Sequence, residues 1–321
     1  MADTNGGAAL HVPVMLREAL EWLAVRPDGR YVDCTAGAGG HSAAIAERLT
    51  TGRLLALDRD PAAVETARRR LAPHGSAGVV RANYGELKEV LSGLGWGPVD
   101  GVLIDAGVSS MQIDTPGRGF SFQAPGPLDM RMDTTAPVTA ASWLAGTTEA
   151  ELARVLREYG DIGPAGRIAR AVLARARAGR METTEDLAAA VREALPFVKG
   201  EPAETRTVFQ AVRIAVNDEL SALRAGVGQA LEAVAPGGRV VAITFHSGED
   251  RIVKTLFREA SRPVVELLRD GRRGASFPAR FRLPVARPVV PGPEEARENP
   301  RAKSARLRVA ERLAGGDGKE A

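Results

Sequence analysis

A short apolar run, Tyr31-Val32, ends in Asp33 and leads at once into Gly37-Ala38-Gly39-Gly40-His41. A helix-like stretch, Ser42 to Leu49, comes next. A second apolar run, Leu54 to Leu57, then ends in Asp58, 21 positions after Gly37. Strand, glycine turn, helix, strand and acid in this order define a βαβ unit with a ligand-facing turn. The glycines let the backbone pass close to a ligand, and a helix N-terminus favours electron-rich groups. An acid closing the second strand suits a ribose diol. The segment points to a nucleoside-containing cofactor.

The choice of cofactor rests on the third glycine. A dinucleotide turn reads G-x-G-x-x-G, with the last glycine needed for close helix packing. Here the run is G-x-G-G, and Ser42 stands at the third position. S-adenosylmethionine has no pyrophosphate and imposes no such requirement. Asp33 and Asp58 also suit a cationic ligand better than a phosphate. Adenosylmethionine is the favoured reading, with a dinucleotide or a ligand-free turn as competitors.

The rest of the chain extends the pattern. Val14 to Leu23 has the apolar spacing of an amphipathic helix. Val79-Val80 reads as a third strand, and Val99 to Ile104 as a fourth that ends in Asp105. Such continuous apolar runs fit a parallel sheet buried on both faces, hence a doubly wound α/β architecture. Three acids, Asp33, Asp58 and Asp105, sit at strand ends, where ligands of such sheets bind.

Pro116 to Pro137 is rich in Pro, Gly and Asp and reads as a long ordered loop. From Thr139 to Leu231 every segment reads helical, with an N-cap at Thr183 to Asp186. Val208, Val212, Ala215, Val216, Leu220 and Leu223 mark one long amphipathic helix. Pro236-Gly237-Gly238 closes the helical region, strand character returns over Arg239 to Phe245, and Arg306 to Val309 reads as a late edge strand. The expected organisation is one sheet interrupted by a helical insertion. Its segments are 1–136 for the first part of the core, 137–215 for the insertion as substrate-recognition domain, and 216–321 for the second part with a basic C-terminal segment.

Charge sharpens the functional question. The net charge of +3 is small, but from Arg251 to Arg312 there are about sixteen Lys/Arg against about seven Asp/Glu. That asymmetry fits an anionic partner or a solvated tail. The single cysteine, Cys34, excludes an internal disulfide and a thiolate cluster, and the 4 histidines show no ligand spacing, so no metal is expected. No leader-like or membrane-length apolar stretch is present, and a cytoplasmic location is the expectation.

Several longer runs carry a family resemblance. They are His11-Val12-Pro13-Val14, Asp33 to Ser42, Asp100 to Asp105, Gly107 to Ser110, Arg118 to Phe122 and Pro127 to Asp133. Further on come Glu158 to Gly160, Phe209 to Ile214, Val216-Asn217, Phe245-His246-Ser247 and Asn299-Pro300-Arg301. In this order they resemble the bacterial 16S rRNA cytosine-N4 methyltransferases, the RsmH or MraW family. Ala106, Thr244 and Gly248 depart from the family's usual residues without removing a polar group expected at the cofactor. The resemblance implies a Rossmann-like S-adenosylmethionine-dependent methyltransferase fold with an inserted all-helical domain. It implies action on a decoding-centre cytosine in the 16S rRNA of the small ribosomal subunit. It also implies cofactor contacts at Gly39, Gly40, His41, Asp58, Tyr84, Asp105 and Gln112.

The chemistry can be read beside it. A cytosine amino nitrogen is a weak nucleophile, and an oxygen accepting its N–H would localise the lone pair. Asp105, with Ser109-Ser110 after it, is the first candidate acceptor, and His246 the second. Attack through cytosine C5 would call for a cysteine nucleophile, and Cys34 lies in the cofactor turn instead. Phe120, Phe122 and Phe245 are candidates for stacking an extruded base. An NAD-type oxidoreductase and a non-catalytic ribosome-binding factor are the competing function classes.

Overall fold

The computed structural model describes residues 13–267 and 273–314. His11 and Val12 of the first family run lie outside them. The chain divides into two compact units, and the described parts of the first are residues 13–58, 62–106, 224–267 and 273–314.

The first unit is built on a seven-stranded sheet. Its strands are β1 (Arg30–Asp33), β2 (Arg53–Asp58), β3 (Ala77–Arg81), β4 (Val99–Asp105) and β5 (Val234–Thr244). A two-stranded hairpin, β6 (Val264–Leu267) and β7 (Arg273–Phe277), stands apart. β8 (Phe281–Arg282) and β9 (Arg306–Arg312) complete the large sheet, whose order is β3-β2-β1-β4-β5-β9-β8. β1 to β5 run parallel, and β9 is antiparallel to β5. Val32, Leu55, Leu57, Val102, Leu103 and Ile104 are at most 3% exposed, as central strands covered on both faces require. The chain leaves β1 for β2 on one side and reaches β4 on the other. This is the switch point at which such sheets open a crevice beyond the strand ends.

One face of the sheet is covered by the helices Leu16–Leu23 and Gly40–Ala46, with Ala19, Leu20, Leu23, Ile45 and Ala46 in a core shared with Leu103, Val241, Ile243 and Leu307. β9 is not the edge strand that its sequence implied. It lies between β5 and β8. The reason is electrostatic as well as apolar. Arg308 and Arg306 pair with the buried Asp250 at 2.7 and 3.2 Å, and Arg239 and Arg282 both pair with Glu311. Three arginines of the basic C-terminal segment, Arg282, Arg306 and Arg308, are therefore used within the sheet unit.

The second unit comprises residues 59–61 and 107–223. Its helices Ala140–Gly146, Glu149–Gly160, Ala165–Arg177, Thr184–Ala194 and Ala203–Asn217 bury Leu144, Leu156, Ile168, Val172, Leu187, Val191, Val208 and Val212. Thr139, Thr148 and Thr183 cap three of them through their hydroxyls. These boundaries are wider than the expected 137–215. The loop after residue 115 is tied to the helices, because Asn217 accepts from Met132 N and donates to Met130 O, both at 2.7 Å. Residues 59–61 join the same unit through Asp60, which is 2% exposed and lies 2.8 Å from the Arg118 guanidinium. The single long helix expected through Leu223 is broken. Asp218 takes the left-handed conformation (φ 47°, ψ 44°), and a second helix starts at Glu219. Asn and Asp tolerate that conformation best among non-glycine residues, which is the signal in Asn217-Asp218.

Candidate active site at the strand ends

The glycine turn is organised from below by Asp33. Its carboxylate is fully buried, accepts the Ser42 hydroxyl at 2.5 Å and accepts Thr35 N at 3.1 Å. Asp33 therefore holds the turn and is not presented to a ligand, contrary to the expectation that it meets a cation. Ser42, at the position of a dinucleotide turn's third glycine, is its partner. Thr35 extends the brace, since its hydroxyl accepts Asp105 N at 2.7 Å and so joins the ends of β1 and β4.

Gly39 sits at φ 77°, a left-handed position that glycine adopts without strain, and precedes the helix Gly40–Ala46. No side chain caps that helix, so its first N–H groups keep their capacity for a ligand. Asp58, at the end of β2, accepts Gly37 N at 2.8 Å and is thereby fixed beside the turn.

His41 and Asp105 form the centre. His41 is 4% exposed, and its Nε2 lies 3.1 Å from the Val14 carbonyl. Only an N–H can bond a carbonyl, so Nε2 carries the proton and Nδ1 is the bare nitrogen, as assigned from this network. Nδ1 faces Asp105 Oδ2 at 3.7 Å. Burial lowers the pKa of His41, against the raising influence of Asp33 and the Val14 carbonyl. Burial pushes Asp105 well above the carboxylate range, reinforced by Asp33 and Glu249. Each shift is away from the charged form, which weakens any salt bridge between the two.

His246 caps the helix Ser247–Ala260. Its Nδ1 accepts from Gly248 N and Glu249 N at 3.2 and 3.4 Å, while Glu249 accepts Phe245 N at 2.7 Å. The ring proton is therefore on Nε2, which makes this edge a donor. That geometry contradicts the role of amine acceptor given to His246 from sequence. Nε2 lies 3.1 Å from Glu249 Oε1 but without hydrogen-bond alignment. Glu249, 2% exposed, is the residue that sequence reasoning missed. Its signal was the capping-box spacing from His246 to Glu249.

Among the described residues, the buried side-chain polar atoms without a hydrogen-bond partner are the Nε atoms of Arg59, Arg118 and Arg175, plus Asp105 Oδ1 and His246 Nε2. An orphan Nε on an arginine whose other nitrogens are engaged is a minor defect. A buried, unmatched acceptor on Asp105 and donor on His246, both at strand ends of one sheet, are groups able to bind a polar ligand.

Tyr84 follows β3 on a short turn, half-buried, with its ring against the helix Glu219–Ala233. A Cβ added at Gly226 would fall 2.5 Å from Tyr84 Cδ2, so glycine makes room for the ring. Gln112 belongs to the helical unit. It is 4% exposed, donates to Asp60 at 2.9 Å and accepts Ser109 N at 3.0 Å, leaving one N–H and one lone pair of its carboxamide.

A parallel sheet with an uncapped glycine-turn helix at its switch point and a fixed acid after the second strand is the frame of a Rossmann-like, S-adenosylmethionine-dependent methyltransferase. The residues fit that cofactor. The turn has serine where a pyrophosphate turn needs glycine, Asp58 stands where a ribose diol would lie, and Asp105 Oδ1 offers an unmatched acceptor. The chain belongs to the MraW methylase family, whose model matches residues 8–313. A Methylococcus capsulatus protein called ribosomal RNA small subunit methyltransferase H is 52% identical over 309 residues, covering 94% of this chain and 100% of that protein. Proteins of the same name from Methylibium petroleiphilum and Geobacter sulfurreducens are each 48% identical, cover 94% of this chain, and are themselves covered over 95% and 99%. The oxidoreductase reading falls with this assignment. No helix among the described residues is long and apolar enough to cross a membrane, and none of their His, Cys, Asp and Glu groups could hold a metal ion.

Proposed function

We propose that the chain transfers a methyl group to the N4 amine of a decoding-centre cytosine in the 16S rRNA of the small ribosomal subunit, in the cytoplasm. The carrying observation is the unmatched acceptor Asp105 Oδ1 at the end of β4. Gly39, Gly40, His41, Asp58, Tyr84, Asp105 and Gln112 would hold S-adenosylmethionine, which supplies an electrophilic methyl group when bound. Asp58 accepts hydrogen bonds from hydroxyls, and the first turn of the helix Gly40–Ala46 offers N–H groups. Tyr84 gives an apolar face, and Gln112 also holds Ser109 and Asp60 in place.

Asp105 accepts an N–H of the cytosine amine and so localises the nitrogen lone pair. Its raised pKa favours receiving a proton as the nitrogen becomes cationic. His246 acts in the opposite sense. Its Nε2–H is a donor for a base oxygen or ring nitrogen, and orients the ring without taking a proton. The alternative site of attack, C5, is disfavoured by Cys34, which is 1% exposed and whose thiol is pushed well up by burial and by Asp33. The names of the relatives support small-subunit rRNA as substrate. Structured RNA hides its base edges, so the target is unpaired or extruded.

The test is nucleoside analysis after reaction of isolated small subunits with methyl-labelled cofactor. N4-methylcytosine at one site is the expected product. Label on C5, on a ribose oxygen or on protein overturns the reading.

A further inference from the structure

The helix Leu16–Leu23 begins badly by its own means. Its N-cap is Met15, a left-handed residue (φ 54°, ψ 35°) whose side chain is fully buried and offers no cap. A non-glycine residue in this conformation is strained and persists only where its surroundings enforce it. The enforcing group comes from 280 residues away: Met15 N donates to Glu295 Oε1 at 2.6 Å. A carboxylate at this end also meets the positive pole of the helix. Glu295 thus supplies the cap that the local sequence lacks.

What is pinned at Met15 is also pinned one residue earlier. The Val14 carbonyl holds His41 Nε2 at 3.1 Å, and this bond selects the tautomer whose bare Nδ1 faces Asp105. Pro13 packs on Gly40 so closely that a Cβ there would overlap the Pro13 ring. Releasing Met15 would let Pro13 and Val14 move away from both members of the glycine turn. Glu295 is outside that turn and holds it only through the Met15 backbone.

We propose that Glu295 is a positioning residue for the cofactor site, acting through Met15 and Val14 to fix the ring orientation and tautomer of His41. This rests on His41 lining the cofactor site. Glu295→Ala should raise the Kd and KM for S-adenosylmethionine about tenfold, with the loss falling on KM and not on kcat. Glu295→Gln keeps an acceptor oxygen at the same reach and should restore affinity to within about twofold. Nitrogen-15 spectra of the folded Glu295→Ala protein should show His41 losing its single Nε2–H tautomer, a signature that general loss of stability would not produce.

His41→Ala separates the two readings. If it leaves cofactor affinity unchanged, His41 is not in the site and the reading beneath the proposal fails. If it weakens binding while Glu295→Ala does not, the site stands and the positioning role is wrong. Should Glu295→Ala fold poorly, Glu295→Gln decides alone through the tautomer: a mixed His41 ring despite the retained acceptor overturns the proposal, and a single Nε2–H form supports it.

Discussion

The helical unit and the crevice around Asp105 treat carboxylates in opposite ways. In the helical unit three of them meet an arginine: Asp60 with Arg118 at 2.8 Å, Glu219 with Arg213 at 2.7 Å, Asp129 with Arg131 at 2.7 Å. Asp129 is held below its ordinary range by the Arg131 guanidinium and backbone, although burial alone would raise it. At the strand ends of the sheet unit, Asp33, Asp105 and Glu249 lie together, and the shift at Asp105 is upward, with no cation among its causes. Matched acids hold an architecture together. An acid with an unmatched oxygen, as Asp105 has at Oδ1, is kept at a cost, and such sites mark function.

This contrast can be broken or sharpened by substitution. The largest effect is expected at Arg118→Met, which strands the buried Asp60 and should destabilise by about 3–5 kcal/mol, read in chemical denaturation. Adding Asp60→Asn should recover much of that loss. Equal stability of Arg118→Met and wild type would refute the structural role of the pair.

Next comes Asp105→Asn. Turnover should fall by about two to three orders of magnitude, the scale for removing one aimed electrostatic group. Stability should move the other way. An acid whose pKa is raised on folding contributes stability below its unfolded pKa and loses it as pH rises toward the folded value. The Tm of the Asn variant relative to wild type should therefore increase from pH 4 upward, at roughly 2–4 °C per kcal/mol relieved. For Asp129, whose folded pKa is depressed, the sign reverses: its contribution is present above the unfolded pKa and disappears as pH falls through the folded one. Thermal melts across pH that showed the same sign for Asp105→Asn and Asp129→Asn would erase the distinction between the units.

A smaller change is expected at Asp58→Ala, which should weaken adenosylmethionine binding by about 1.5–3 kcal/mol, the range for a charge-assisted hydrogen bond. Isothermal titration with unchanged affinity in a folded variant would remove Asp58 from the site. The smallest effect belongs to Cys34→Ala, for which kcat should stay within about twofold. Abolished turnover with cofactor binding intact would revive a covalent path through C5.

The strands, the glycine turn and the helical character after residue 139 were legible because each is written in a local pattern of apolar spacing. What was not legible depends on partners far along the chain. Asp33 and Asp58 look alike as strand-end acids, yet only Asp33 is enclosed by Ser42. The segment 116–137 reads as a long ordered loop, and only the bonds from Asn217 show that it belongs to the helical unit. His246 was singled out as an amine acceptor, but its proton lies on the side opposite to that role, because two backbone N–H groups occupy Nδ1. The hairpin of β6 and β7 has too few alternating apolar residues to announce itself. Glu295 had no local signal at all, since what it caps lies at the other end of the chain.

The pairing of β4 with β5, which sets Asp105 opposite Ile243, has a consequence for the chain's synthesis. All of the residues between them must emerge from the ribosome before that pairing can form. At about 5–20 residues per second this takes roughly 7–30 s. Throughout that interval β4 is the open margin of a half-built sheet, apolar on both faces and able to pair with any passing strand. The insertion thus imposes a waiting time on the nascent protein, and the strand that ends the wait is the one that completes the crevice.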